Sequence, residues 1–407
     1  MNRLFFLLKI SLNHLRQHGL RSFILKARKN YKNLSKVTKI DVNRVYGFLE
    51  REKFGVPWDE SMSNDKVVNW VIPNFGIGSG GHLNIFRFIS YLEKKGYFVN
   101  IIIDEKNSSL DGEEIRSDIC KHFVKLNAKV FIGIESSPPA YATFATSWNT
   151  AYSVNAFNST CHKFYFVQDY EPYFYALGSE YMFAENTYRF GFKGITAGSW
   201  LSNKLSKDFG MKCASIGFSY EKDRYSILSS SGKSLNNKVR IFFYARPPTP
   251  RRALELGLLA LEDVCRKRTN VEVVFAGWDM DNYEINFPYE SHGVVALDNL
   301  SALYNSCDVG LVLSLTNLSL LPLELMASGV PVVSNSGDNV EWLLNEDICE
   351  FSDLTVSGIS SSLIKLIDDD EKRQQLKMNG LNFISSTSWD AEGEMFVNKF
   401  EQLLKEV

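Results

Sequence analysis

Three groups of residues in this 407-residue chain have the types and spacing to do chemistry. The first is Asn74-Phe75-Gly76-Ile77-Gly78-Ser79-Gly80-Gly81-His82, which contains the spacing Gly76-x-Gly78-x-x-Gly81. Glycines let a backbone approach a ligand closely, and a helix that starts beside them favours negative charge. His82 is placed either to donate to a hydroxyl or phosphate, or to serve as a plain first-turn residue. The second group is Arg246, Arg251 and Arg252, held close together by the prolines of Arg246-Pro247-Pro248-Thr249-Pro250-Arg251-Arg252. Guanidinium groups clamp phosphate oxygens in forked geometry, and a departing diphosphate needs such neutralisation. The third is Gln168-Asp169-Tyr170-Glu171-Pro172-Tyr173, two carboxylates among aromatic rings. These carboxylates are either ligand contacts or turn residues ahead of the proline.

The elements that must position these groups follow from hydrophobic patterning. The run 67–72 is a buried strand leading into the glycine loop, a helix follows with Leu83, Phe86, Ile89 and Leu92 on one face, and 98–103 is the next strand. That is a β-α-β unit, which builds a parallel sheet. Strands are expected at 131–134 and 163–167, the second running straight into Asp169, and a further strand-to-helix step is expected at 194–201. After the polar linker Ser229–Ser234 the pattern restarts. Strands are expected at 239–244, 271–277, 309–314 and 330–334, with helices at 253–265, 300–305 and 322–328. Alternation in both halves gives an α/β protein of two doubly wound, Rossmann-like domains facing across a cleft. In such sheets ligands bind at the carboxyl ends of the strands, where all three groups fall. The expected division is a basic helical extension over 1–60, domains over 61–235 and 236–385, and a last helix over 386–407.

Composition narrows the function. A net charge of −2 excludes a dedicated nucleic-acid binder, which needs a basic surface. None of the six cysteines forms a C-x-x-C pair, so neither a zinc ribbon nor a disulfide framework is implied, and a reducing cytoplasm is the expected compartment. Residues 1–40 lack Asp and Glu and carry ten Lys and Arg. Their apolar run is too short to span a bilayer and has no cleavage site behind it, so a signal peptide is not expected. The near-helical spacing of Leu8, Leu12, Leu15, Leu20, Phe23 and Ile24 suits a helix lying on an anionic membrane, a solvated arm, or a helix packed on the body. Asp279-x-Asp281 has the spacing of a metal pair, but it follows a strand in the half where arginines already offer a metal-free solution. No metal site is expected.

The stretch Leu321-Pro322-Leu323-Glu324-Leu325-Met326-Ala327-Ser328-Gly329-Val330-Pro331 resembles the donor-site signature of GT-B glycosyltransferases of the retaining family 4 type. The resemblance implies that Glu324 holds ribose hydroxyls, that Arg246 is a phosphate arginine, and that Arg251 or Arg252 stands where the family has a lysine. It narrows at Phe166-Val167-Gln168-Asp169-Tyr170-Glu171-Pro172, Tyr188-Arg189-Phe190-Gly191-Phe192 and Tyr244-Ala245-Arg246-Pro247, which look like the WsaF-type rhamnosyltransferases. Those use dTDP-β-L-rhamnose to build bacterial surface polysaccharides. The implied partners are a nucleotide-sugar donor and a glycan or lipid-linked glycan acceptor, with no cofactor. The implied mechanism retains anomeric configuration. The expected catalytic contacts are His82, Asp169 and Arg246. The expected donor contacts are Gly80, Gly81, Arg246, Arg251, Arg252, Gly277, Thr316, Asn317, Leu323 and Glu324. Thr316 stands where the larger family has a glutamate that contacts sugar hydroxyls, a departure that fits a 6-deoxy sugar. Two other readings stay open: a sugar-binding relic without turnover, prompted by Thr316, and a nicotinamide-dependent oxidoreductase, prompted by the glycine spacing.

Overall fold

The computed structural model describes residues 41–62, 65–105, 110–228 and 238–406. The basic segment 1–40 and the linker Ser229–Ser234 lie outside the described residues. In the segment ahead of Arg51, Asp41 caps a short helix, Val42–Tyr46, by accepting the Arg44 amide at 3.2 Å. Arg51–Val407 form one compact unit.

That unit is built on two parallel sheets. The first has seven described strands: β1 (Val67–Ile72), β2 (Phe98–Ile103), β3 (Lys129–Ile132), β4 (Ala140–Ala145), β5 (Thr160–Val167), β6 (Lys193–Ala197) and β7 (Cys213–Ile216), in the order β3-β2-β1-β4-β5-β6-β7. The second has β8 (Val239–Tyr244), β9 (Val271–Ala276), β10 (Tyr289–Ser291), β11 (Val309–Val312), β12 (Val332–Asn335) and β13 (Cys349–Ser352), in the order β10-β9-β8-β11-β12-β13. Strands buried on both faces read as continuous apolar runs, which is why β1, β2, β8 and β9 stand out in the sequence. β4 does not. Its Ala-Tyr-Ala-Thr-Phe-Ala has no β-branched run, yet it sits between β1 and β5, and Phe144 stacks on Trp70 of β1 at 4.4 Å between ring centres.

The strand orders decide where ligands can bind. In each sheet the chain winds one way from a central strand and then the other. The reversal falls between β1 and β4 in the first sheet and between β8 and β11 in the second. Loops leaving adjacent strands diverge at such a switch point and leave a crevice at their carboxyl ends. The glycine loop follows β1 and Thr146-Ser147 follow β4. Arg246–Arg252 follow β8, and Ser314–Leu320 follow β11.

Helices cover the sheets. α1 (Gly80–Lys94) packs its Phe86, Ile89 and Leu92 on the first sheet. α2 (Gly112–His122), α3 (Trp148–Ala156), α4 (Ser179–Asn186) and α5 (Ser199–Phe209) complete that domain. α6 (Leu254–Lys267), α7 (Leu297–Asn305), α8 (Leu321–Ala327), α9 (Asp338–Glu341), α10 (Val356–Asp368) and α11 (Asp370–Ser385) surround the second sheet. The final helix, α12 (Trp389–Lys405), leaves the second domain and packs on the first. Phe396 and Phe400 enter the core formed by Trp70, Phe144 and Phe164, and Tyr91 and Tyr97 donate to Asp390 and Glu401 at 2.6 and 3.1 Å. Gly393 of α12 lies against the Tyr91 ring, where any Cβ would collide at 2.2 Å. The stretch after β7 is tied to both α12 and α1. Glu392 accepts the Gly217 amide at 2.6 Å, and buried Arg87 of α1 pairs with Glu221 while its guanidinium lies 3.8 Å from the Trp389 ring centre.

Candidate functional site

Between the two switch points lies a cleft of about 560 Å³. From the first domain it is lined by Gly78, Gly80, Gly81, Gln168, Asp169, Glu171 and Phe174. The second domain contributes Tyr244, Arg246, Arg251, Arg252, Tyr304 and Glu324. The chain thus folds all three chemically equipped groups of the sequence onto one cavity, together with Glu324.

The arginines occupy different depths. Arg246 is exposed, its Nε donating to Thr249 Oγ1 at 3.1 Å and its Nη1 to the Tyr244 hydroxyl at 2.8 Å. Arg252 is largely buried and donates to the Ser314 hydroxyl, and burial lowers its affinity for its proton. Arg251 crosses the cleft. Its guanidinium lies 4.0 Å from the centre of the Phe174 ring, and its Nε is 3.3 Å from Asp169 Oδ2, buried and without a well-aligned hydrogen-bond partner. The residue after this pair, Ala253, has φ +50°, left-handed backbone that a non-glycine residue seldom adopts. It starts α6 immediately behind the arginines.

Asp169 was expected to meet a substrate at a strand end. Its carboxylate is instead engaged by protein on both oxygens. Thr316 Oγ1 donates to Oδ2 at 3.0 Å and the Asn317 amide donates to Oδ1 at 2.9 Å, both from the second domain. The Tyr170 amide reaches Oδ1 at 2.9 Å. Asn317 adds two more ties to the first domain, through Nδ2 to Gln168 O at 2.9 Å and Ala197 O at 2.7 Å. Asp169, Thr316 and Asn317 therefore form a buried junction between the domains. Desolvation raises the Asp169 pKa, and Arg251 opposes that shift.

Two further carboxyl groups share the cleft. Glu324 of α8 accepts from the Tyr304 hydroxyl at 3.2 Å, and burial pushes its pKa up to about 7. The neighbouring Tyr304 and Tyr225 hydroxyls oppose that shift. Glu171 accepts from the Trp148 amide at 2.7 Å and the Tyr165 hydroxyl at 3.3 Å. Burial pushes its pKa up to about 8, against the lowering effect of the Trp148 amide. Three guanidinium groups and three carboxyl groups thus line the cleft, and burial biases two of the carboxyl groups, Glu171 and Glu324, towards their uncharged forms. That excess of positive charge suits an anion carrying two or more negative charges.

The remaining expected residues fall elsewhere. His82 lines an adjoining chamber, with Nδ1 2.8 Å from the Ser79 hydroxyl and Nε2 3.3 Å from Pro73 O, and its ring stacks on Phe75. Burial lowers its pKa, and both ring nitrogens are occupied by its own loop. Gly277, with φ +103°, lies under the Tyr244 ring, which a Cβ would meet at 2.3 Å. Its need for glycine comes from packing. Leu323 is buried in the core of the second domain and its amide donates to Leu320 O at 3.0 Å, so it turns away from the cavity. Asp279 Oδ1 accepts the Asp281 amide at 2.9 Å in a local turn. Tyr225, Tyr304 and Trp148 carried no sequence signal, since each sits in an ordinary amphipathic or loop context and is recruited only by tertiary packing.

Comparison with known proteins places this geometry. Residues 239–364 match the family model of the WsaF C-terminal domain. The O-antigen biosynthesis protein RfbC of Myxococcus xanthus is 33% identical over 338 residues, 80% of this chain and 26% of that protein. The chain thus spans about a quarter of the length of that curated relative. Among solved structures, sucrose-phosphate synthase from Thermosynechococcus elongatus superposes with a TM-score of 0.65 at 11% identity, covering 84% of this chain and 100% of that one. HepE from Anabaena, in complex with UDP-glucose, gives 0.64 at 13% identity, covering 83% and 99%. These likenesses show the fold: two parallel-sheet domains in the GT-B arrangement.

Two outcomes follow. Asp169→Ala leaves Arg251 unpaired and removes the acceptor for Thr316 and Asn317, so unfolding in urea is expected to show a loss of about 3–5 kcal/mol, the range for breaking one side of a buried pair; a loss below about 1 kcal/mol contradicts the junction. Glu171 holds its proton more tightly folded than unfolded, so its stabilising contribution is complete below about pH 4.5 and is lost as pH rises towards about 8. Glu171→Gln removes that dependence. The variant should therefore gain on the parent chain between pH 5 and pH 8, by at most about 1.4 kcal/mol per pH unit, in urea titrations at both values. A gap that does not change with pH contradicts the assignment.

Proposed function

We propose that this chain, a GT-B protein whose second domain carries the WsaF C-terminal match, is a glycosyltransferase. It moves a sugar from a nucleoside diphosphate donor onto a growing surface polysaccharide or a lipid-linked oligosaccharide. The observation that carries the reading is the charge inventory of one cavity: Arg246, Arg251 and Arg252 against a single committed carboxylate, with the buried acid Glu324 among the same walls. Arginines neutralise a diphosphate, and a carboxyl group beside tyrosines suits the paired hydroxyls of a ribose. RfbC is named for O-antigen biosynthesis, which supports the polysaccharide as product.

The donor is dTDP-L-rhamnose on this reading. Thr316 replaces the carboxylate that would hold a sugar hydroxyl, and its own hydroxyl is engaged with Asp169. A 6-deoxy sugar asks for fewer polar contacts there. Transfer proceeds with retention and without a metal, the guanidinium groups serving as the cations. The bond from the anomeric carbon to the β-phosphate oxygen breaks, the acceptor oxygen takes its place on the same face, and the acceptor's proton passes to the departing phosphate. No side-chain nucleophile is required. Residues 1–40 supply a peripheral contact with the inner face of the cell membrane, and the enzyme works in the cytoplasm.

Two residues of the second-domain wall, with separate roles, give the test. Arg246→Ala is expected to lower turnover of the nucleotide sugar by more than about tenfold, because a preorganised charge contact is typically worth a few kcal/mol in the transition state. Glu324→Ala is expected to weaken nucleoside diphosphate binding about tenfold in calorimetric titration, in line with the loss of one or two hydrogen bonds to the ribose hydroxyls. Unchanged kinetics in the first variant and unchanged affinity in the second would together remove the reading.

A further inference from the structure

α1 carries two buried polar side chains among apolar neighbours. Asn84 and Arg87 are 8% and 7% exposed and lie one turn apart on the same side of the helix, while Phe86, Ile89 and Leu92 enter the core of the first domain. Asn84 lines the donor cleft. Arg87 does not line it. It is anchored by the two segments that cross between the domains: it pairs with Glu221, and its guanidinium lies 3.8 Å from the Trp389 ring centre.

A buried amide must find hydrogen-bond partners, and here the arginine dictates which end of the amide meets which partner. A guanidinium group donates and never accepts, so the Asn84 atom turned to Arg87 is Oδ1. The amide nitrogen is thereby turned the other way, and Nδ2 donates to Gln168 Oε1 at 3.3 Å. That leaves Gln168 Nε2 to donate to Gly81 O at 3.1 Å. The chain from Arg87 through Asn84 and Gln168 to Gly81 thus runs in one direction, and each bond polarises the next. Each amide nitrogen carries two hydrogens, and among the described residues each has one partner. Asn84 and Gln168 both line the cleft, so what remains for a ligand there is one N–H on each.

With a diphosphate on the arginines of the second domain, the first-domain wall faces the group attached to it, the sugar to be transferred. A sugar presents hydroxyl and ring oxygens, which accept from N–H groups. We propose that Asn84 is a contact for the transferred sugar, donating from Nδ2 to one of its oxygens, and that Arg87 is the positioning residue that fixes the direction of that donor. The inference rests on the glycosyltransferase reading of the cleft. It adds a residue of the first domain that recognises the sugar and not the nucleotide. An aspartate at position 84 keeps the shape and the bond to Arg87, but it sets an acceptor against the sugar oxygen.

Calorimetric titration of the full chain with dTDP and with dTDP-L-rhamnose tests it, the quantity read being the ratio of the two affinities. Asn84→Asp and Arg87→Gln should each lower the affinity for dTDP-L-rhamnose about tenfold relative to that for dTDP, the loss of about one hydrogen bond. In Arg87→Gln the head of the chain can accept as well as donate, so the Asn84 amide is free to turn over. Both variants make the cleft more negative. That change alone would weaken dTDP more, since dTDP carries the higher negative charge, and would move the ratio the other way. An unchanged ratio in Asn84→Asp, including equal weakening of both ligands, overturns the sugar contact, as does a parent chain that binds dTDP alone. An unchanged ratio in Arg87→Gln overturns the positioning role. A parent chain that binds neither ligand counts instead against the donor reading of the cleft, which keeps the two failures apart.

Discussion

A carboxylate buried between two domains must find donors on both sides of the junction or give up its charge, and Asp169 finds them. It leaves the end of β5 and meets Thr316 Oγ1, the Asn317 amide and Arg251, all from the second domain. The partners are themselves held. Asn317 bonds back to Gln168 O and Ala197 O, and its Oδ1 accepts from Trp342 Nε1 at 3.0 Å. Trp342 in turn lies against Gly198, where φ is +96° and a Cβ would overlap the indole at 2.6 Å. One carboxylate thus fixes the relation of the two switch points and, through Arg251, the position of a cation in the cleft between them.

The consequences for chemistry come from what Asp169 leaves unneutralised. Burial drives Glu324 and Glu171 towards their protonated forms, and Asp169 offsets only part of the positive charge of Arg246, Arg251 and Arg252. The cleft is therefore prepared for an anion on the second-domain side. The chamber on the first-domain side has no lysine or arginine among its described lining residues.

Much of this was legible in the sequence, for physical reasons. Strands buried on both faces need apolar runs, so β1, β2, β5, β8 and β9 declare themselves, and the residues just after them mark the strand ends where ligands bind. Gly80, Gly81, Arg246, Arg251, Arg252, Asp169 and Glu324 line one cavity because the fold brings strand ends together. What the sequence hid is pairing across the junction. Nothing near Asp169 in the chain points to Thr316 or Asn317, which lie almost 150 positions away. β4 was hidden because alanines pack well between two strands without advertising it. Gly277 and Leu323 carry the expected residue types near the site, yet packing uses them, Gly277 beneath Tyr244 and Leu323 in the core. The glycine loop is the most visible motif and the least specific, since its backbone geometry serves several kinds of ligand.

The proposed function requires the diphosphate on the arginine side of the cleft. A crystal structure of the full chain with bound dTDP tests it most directly. The diphosphate is expected within hydrogen-bonding distance of the Arg246 and Arg252 guanidinium groups, and the ribose hydroxyls on Glu324. A diphosphate lying along the Gly76–Gly81 loop, with the arginines and Glu324 untouched, would contradict it and return the chain to a dinucleotide-binding reading.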